Sequence, residues 1–474
     1  MSVKTKTLCL SPPELPDAGS LRSQIESAIV FKVTGRVAAV AGESIELEGM
    51  TAPIGAICQI ETNLGQRTRG RVIGFNGVRP VLAPLDTLEL VTAGDSVRLL
   101  DNQQHLLVGD DLCGRILDAF GEPIDGAPLS ARLIRRKADQ KPPTSLERSA
   151  IDQPFETGVR VIDGMLTCGK GQRLGVFAGS GVGKSTLLAM IANGCDADRV
   201  VIAMVGERGR EVKEFVENVL GQNGMTRSVV VVATSDKPAA QRVAAAWTAT
   251  SIAESFRDQG HHVLLLFDSI TRFATAQREL GLAAGEPPTV RGYPPSVFQV
   301  LPRLVERTGR NASGAITAFY TVLVEGDDPN EPIADSLRGL LDGHLVLSRE
   351  LAEAAIYPPI DVLQSISRLQ PKLVDREMLD RVGAIRHHLS VYRKNADLIS
   401  IGAYRKGADE TLDAAVAIDE VFRKYVKQDW RDTVSISKSQ EQLLRVIETA
   451  TEFSRPDSTP SLSKYDPIGT SVDL

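Results

Sequence analysis

The sequence predicts an α/β fold with a small all-β domain ahead of it and a helical domain behind it. Three observations carry that expectation. Residues 32–99 break into short β-prone runs divided by glycines, residues 100–375 alternate apolar runs with helical patterns, and residues 376–453 are helical throughout.

A chain of 474 residues, 42% hydrophobic and 24% charged, has room for two or three domains with a substantial core. Residues 1–31 open with a Pro-, Ser- and Asp-rich arm, followed by "LRSQIESAIVF", where Leu21, Ile25 and Ile29 fall at helical spacing. That short amphipathic helix could dock on a partner, lie on a membrane surface or pack on its own domain. From residue 32 to 99, "GRVAAVAG", "ESIELEG", "GAICQIET", "GRVIGF", "RPVLAP" and "DSVRLL" read as strands of a small barrel.

Between residues 100 and 375, "VVIAMVG", "SVVVVAT", "HVLLLFD", "AITAFYTV" and "GHLVLS" have the texture of strands buried on both faces of a mainly parallel sheet. Between the first two lies "REVKEFVENVLG", whose Val212, Phe215, Val216, Val219 and Leu220 follow a helical stripe that a glycine ends. Residues 376–453 hold three helical patterns, and residues 454–474 are again Ser, Pro and Asp rich, as expected of a mobile tail.

Several function classes are disfavoured. There is no apolar run of about 18 residues and no apolar core of a secretory signal, so the expected location is the cytoplasm. Cys9, Cys58, Cys113, Cys168 and Cys195 show no paired spacing, which suits free thiols rather than disulfides or a zinc site. His261 and His262, like His387 and His388, are adjacent and so point to different faces, which favours chance surface placement over metal binding. A net charge of −6 gives no global reason to bind nucleic acid.

The densest signal is "RLGVFAGSGVGKSTLLAMIANG", which reads as strand, loop and helix. Such a loop turns successive N–H groups toward one point and adds the positive end of a helix, so it holds polyphosphate. Ala178, Gly179, Ser180, Gly181, Val182, Gly183, Lys184, Ser185 and Thr186 form the cradle. Lys184 supplies charge for the β- and γ-phosphates and the Ser185 hydroxyl suits Mg²⁺. Ala178 stands where the motif begins with glycine, a small departure because the contacts come from amides.

A Mg-nucleotide site needs a second anionic anchor. Asp268 ends the apolar strand in "HVLLLFDSITRF", where it holds the metal through water or caps the next helix. Hydrolysis further needs a group to activate water and a cation to neutralise the transferred phosphoryl. Glu207 and Arg208 end another strand in "VVIAMVGERGREV"; taken alone, they could equally form a surface ion pair with Arg210 or Glu211.

Read together, "TGVRVIDGMLTCGKGQRLGVFAGSGVGKSTLL", "VGERGREV", "DSITRFATAQRE", "RGYPPSVF", "ITAFYTVLVEGDDPNEPIADS", "DGHLVLSRELAE" and "YPPIDVLQSISR" resemble the flagellar and type III secretion export ATPases, relatives of the catalytic subunits of rotary ATP synthases. The resemblance spans roughly residues 30 to 450. It implies a RecA-like P-loop core with ATP and Mg²⁺ as cofactors. It makes Glu207 the catalytic carboxylate with Arg208 beside it near the γ-phosphate, Tyr357 an aromatic packed on adenine, and Arg368 a finger reaching into the neighbouring subunit's site.

A finger in trans requires a ring, and the family forms hexamers. The resemblance further implies regulator and stalk proteins, export substrates with their chaperones, and a membrane export gate as partners, on the inner face of the cytoplasmic membrane. Glu207 separates the chain from non-catalytic sister subunits. The few barrel aromatics and the acidic charge argue against an RNA translocase. "RGYPPSVF" and the lack of a "DELSEED"-like loop argue against a synthase β-type subunit, and "IGAYRKGADETLDAAV" sits closer to flagellar than to virulence-type members.

Overall fold

The computed structural model describes residues 33–88, 90–324 and 331–453. The expected N-terminal arm and amphipathic helix, and the C-terminal tail, lie outside the described residues.

The first domain is a closed six-stranded barrel in the order Thr34–Ala41, Ser44–Glu48, Arg79–Pro84, Arg67–Asn76, Ile57–Glu61, Ser96–Asp101. Alternation along these strands turns Val37, Ile45, Leu47, Ile60, Leu82 and Val97 into one interior. Closure removes the exposed edges that such short strands would otherwise present. Gly35 is required where two strands cross closely, because a Cβ there would lie 2.6 Å from Glu48 O and from Met50 Cγ.

The central domain is built on a sheet in the order Ile366–Ser367, Gly343–Val346, Arg173–Ala178, Ala315–Leu323, His262–Asp268, Arg199–Val205, Ser228–Ala233, Ile116–Leu117. Along this path all neighbours are parallel except the first pair. Successive residues serve opposite faces. Val201, Ala203, Val205, Leu265 and Phe267 face a core that includes the alanine-rich helix Ala239–Asp258, while Val200, Ile202, Met204, Leu264 and Leu266 face one that includes the helix Lys184–Gly194.

Register decides where chemistry collects. Asp268 pairs with Met204, Ala178 with Leu323 and Phe267 with Tyr320. The carboxyl ends of four neighbouring strands therefore line up, the place where open α/β sheets bind ligands.

Three helices, Arg376–Ser400, Glu410–Val426 and Ile436–Phe453, follow. The first of them starts at Asp375, whose carboxylate accepts the Met378 N–H at 2.8 Å. Tyr425 donates its hydroxyl to Arg160 O at 3.0 Å, and Gln428 Nε2 donates to Gly158 O at 2.8 Å, which ties the helices to the segment just ahead of the phosphate loop.

Two local readings are corrected. The stripe in "REVKEFVENVLG" is not one α-helix: an α-helical turn, Gly209–Glu214, gives way to a π-helical segment, Phe215–Leu220, and Gly221 begins a further turn to Met225 rather than ending the pattern. Chance surface placement also fails for His262, whose ring meets Phe155 edge-on at 5.2 Å while its Nε2 lies 2.8 Å from Thr317 Oγ1. It opens an interior strand, so burial follows from its position, and burial pulls its pKa down to about 4. The described cysteines are free. Among the described residues no helix is long and apolar enough to cross a membrane.

Candidate nucleotide site

The strand Arg173–Ala178 delivers the chain into the loop, and the helix Lys184–Gly194 receives it. Gly181 and Gly183 sit at φ +77° and +99°, a region that side chains disfavour, so the loop depends on glycine at both. Val182 points inward at 2% exposure and pins the loop to the core. No side chain caps the helix that follows, which leaves its first N–H groups open to an anion. Ala178 is still an extended strand residue paired with Leu323, and its buried methyl explains why glycine is not needed there. Gly179 is buried beside it, whereas Ser180, Ser185 and Thr186 are exposed.

Lys184 crosses from the loop to the two carboxylates. Its Nζ lies 2.5 Å from Asp268 Oδ1 and 3.2 Å from Glu207 Oε1. Asp268 Oδ1 also accepts the Thr321 hydroxyl at 2.6 Å. Burial pushes the Asp268 carboxyl up; the Lys184 ammonium opposes that rise and the Glu207 charge adds to it. Burial pulls Lys184 down, but Asp268 and Glu207 outweigh it and hold the ammonium above the ordinary lysine value.

Glu207 follows Gly206, which sits at φ +75° with Arg272 packed so close that a Cβ would lie 2.8 Å from Arg272 Cβ. That turn brings the Glu207 side chain into the site, 7% exposed. The helix-capping role open to Asp268 in the sequence belongs instead to Ser269, whose hydroxyl accepts the Arg272 N–H at 3.3 Å. Asp268 is thereby left for the site. One carboxylate and a hydroxyl are hard oxygen donors, the sparse set that Mg²⁺ accepts when substrate phosphates and water complete its shell. Among the described residues no group of three or more His, Cys, Asp or Glu could hold a metal by itself. Ser185 and Asp268 fit a metal that arrives with its nucleotide.

The remaining predicted residues lie apart from this triad. Tyr357 is 47% exposed and flanks the loop: a Cβ on Gly183 would sit 3.8 Å from its Cε1. It shares a cleft with Gln428 and Trp430, and the Gln428 N–H donates to Tyr357 O at 2.9 Å. Arg208 is not drawn in. Its side chain is 80% exposed, with Glu211 at 3.9 Å, which is the surface pair the sequence left open. Arg368 stands at the edge of the sheet, donating to Arg338 O at 2.9 Å, with no contact to Lys184, Glu207 or Asp268.

Sequence reasoning missed Thr321, Gln428, Trp430 and Arg349, whose Nη2 reaches Ser180 O at 3.4 Å. A hydroxyl inside "AITAFYTV" is a legible signal for Thr321. The other three become neighbours only through tertiary folding.

A cradle of open N–H groups, with a lysine set between two buried carboxylates at the carboxyl edge of a parallel sheet, defines a P-loop nucleotide hydrolase with a RecA-like core. Residues 158–367 match the nucleotide-binding domain of the ATP synthase alpha/beta family, and residues 374–445 match the C-terminal domain of the T3SS EscN ATPase. The chain is 48% identical to the flagellum-specific ATP synthase of Bacillus subtilis, covering 89% of this chain and 96% of that one. It is 44% identical to the type 3 secretion system ATPase of Xanthomonas euvesicatoria, covering 91% and 98%. Assembled EscN from enteropathogenic E. coli superposes with a TM-score of 0.83 at 44% identity, over 87% of this chain and all of that one, and EscN in complex with its central stalk EscO gives 0.80 at 43% identity over the same shares. The chain belongs to the type III export ATPases, the family of flagellar and virulence-type members, and it is an ATPase.

Proposed function

We propose that this chain is the Mg-ATP hydrolysing subunit of a homohexameric ring that drives flagellar protein export, with each active site completed by Arg368 of the next subunit. The observation that carries the catalytic part is the Lys184 ammonium held by Asp268 and Glu207 at the mouth of the phosphate cradle. Nucleotide phosphates would take the loop N–H groups and Lys184. Mg²⁺, when bound, supplies charge neutralisation at the phosphate oxygens, with Ser185 and Asp268 as its protein-side anchors. Glu207, relieved of Lys184, is free to orient water and take its proton.

The exposure of Arg368 away from its own triad supports a role in trans, and such a finger contributes about 10³ to 10⁵ in rate. Arg208 would join the γ-phosphate only by leaving Glu211. The likeness to assembled EscN and to its complex with a stalk supports a ring with a central stalk partner. Membership of the export family supports, as part of this proposal, contacts with a regulator, chaperones and substrates, and attachment at the inner face of the membrane beside an export gate. The higher identity to the Bacillus subtilis flagellar relative, 48% against 44% to the Xanthomonas euvesicatoria secretion ATPase over a similar share of the chain, supports the flagellar branch, with virulence-type secretion as the alternative. Expression in a strain lacking its flagellar ATPase tests this: restored motility is expected, and failure there with restored secretion in a needle-system mutant would reverse the choice.

A further inference from the structure

We propose that the cavity between the barrel and the ATPase core is a binding site for a small oxyanion, a carboxylate or phosphate, gripped by Arg71. The cavity, open to solvent on one side, holds about 260 Å³, and its wall combines barrel residues Ile54, Gly55 and Arg71 with core residues Trp247, Gln277 and Leu280. Arg71 lies on the barrel strand Arg67–Asn76 and is partly buried. Its guanidinium, with five fixed donors, has no hydrogen bond or ion pair among the described residues. Burial pulls it below the ordinary arginine value, with Asp139 opposing and Arg303 adding to that fall.

The acids in the same wall make their hydrogen bonds elsewhere. Asp139 accepts from Arg303 Nη2 at 3.3 and 3.4 Å, and Glu286 accepts the Ser296 N–H at 3.2 Å. Gly55, at φ +91°, leaves open space in front of the guanidinium: a Cβ there would lie 3.7 Å from Arg71 Nη2. A partly buried guanidinium that makes no hydrogen bond among the described residues has its donors open to a ligand, and their planar fork matches carboxylate and phosphate oxygens. Gln277 adds amide hydrogen-bonding capacity, and the apolar remainder of the wall suits a compact organic body. Because both domains line the cavity, an anion held there would strengthen the barrel's attachment to the core.

Thermal unfolding of the full chain, with saturating ADP occupying the phosphate loop, tests this by titration with inorganic phosphate or succinate. The expected result is a saturable rise in midpoint with at least one probe, with at least about tenfold weaker binding in Arg71→Met. Phosphate-only stabilisation identifies a phosphate ligand, and succinate-only stabilisation a carboxylate. Without added anion, Arg71→Met should melt at or above the wild-type midpoint, because no hydrogen bond of Arg71 is lost. Should that variant not fold, protection of wild-type Arg71 from an arginine-directed dicarbonyl by either probe, read by mass spectrometry, gives the same answer. No saturable response in the wild type, an equal response in the variant, or unprotected Arg71 would overturn the proposal.

Discussion

Lys184 Nζ lies 2.5 Å from Asp268 Oδ1 and 3.2 Å from Glu207 Oε1, so one ammonium holds two buried carboxylates together. The three groups come from three strand ends, and their meeting depends on strand register. Two buried carboxylates share one lysine, which leaves the cluster a net negative charge and gives it a reason to attract Mg²⁺ with a nucleotide.

Lys184→Ala should abolish most turnover and also lower stability, since it strands two buried carboxylates. Breaking a buried pair costs about 3 kcal/mol. Mg²⁺ without nucleotide should recover more stability in this variant than in the wild type, read as the difference in thermal midpoint between EDTA and Mg²⁺. An equal metal response in both proteins would show that the carboxylates do not act as a pair.

Tyr357 offers its ring beside the loop, 47% exposed. Loss of base stacking is worth about 1–3 kcal/mol, so Tyr357→Ala should raise KM for ATP by about five- to 150-fold while Tyr357→Phe changes it little. Steady-state kinetics with ATP decide it; an unchanged KM in the alanine variant removes Tyr357 from the base site.

Arg368 makes no contact with its own triad, so its contribution should appear only across an interface. Arg368→Ala rings and Lys184→Ala rings should each be nearly inactive, and co-assembled rings should regain activity at interfaces that pair an intact loop with an intact finger. Mixed rings confirmed by native mass spectrometry but still inactive would contradict a finger in trans.

His262 carries a pH prediction. Its pKa is lowered from 6.5 to about 4 by burial, so the unfolded chain binds a proton that the folded chain refuses. Its contribution to stability is therefore complete above about pH 6.5 and is lost as pH falls toward 4. His262→Gln should flatten that part of the stability curve, on the order of 2 kcal/mol across the window, in melts taken at half-unit pH steps. Parallel curves for the two proteins would mean that His262 titrates alike in the folded and unfolded chain.

Much of this was legible in the sequence. The barrel could be read because alternation and glycine turns are local, and the central sheet because strands covered on both faces are apolar at every position. The cradle was legible for the same reason: its glycines, Lys184 and Ser185 are contiguous. The π segment Phe215–Leu220 was not, since an apolar stripe fits an α or a π ridge about equally over six residues. His262 reads as polar until its neighbours Phe155 and Thr317 are known. Gln428, which binds Tyr357 O and Gly158 O, is distant from both in the chain, and only the docking of the C-terminal helices brings it there.

The central claim is that Glu207 activates water beside a phosphate loop that binds nucleotide without it. Glu207→Gln keeps the shape and a hydrogen-bond acceptor for Lys184 while removing the proton-accepting charge. The most direct test measures Mg-ATP affinity and single-turnover hydrolysis on that variant. The account predicts affinity within about threefold of wild type and a rate lower by about 10² to 10⁴. Hydrolysis at a near wild-type rate would contradict it.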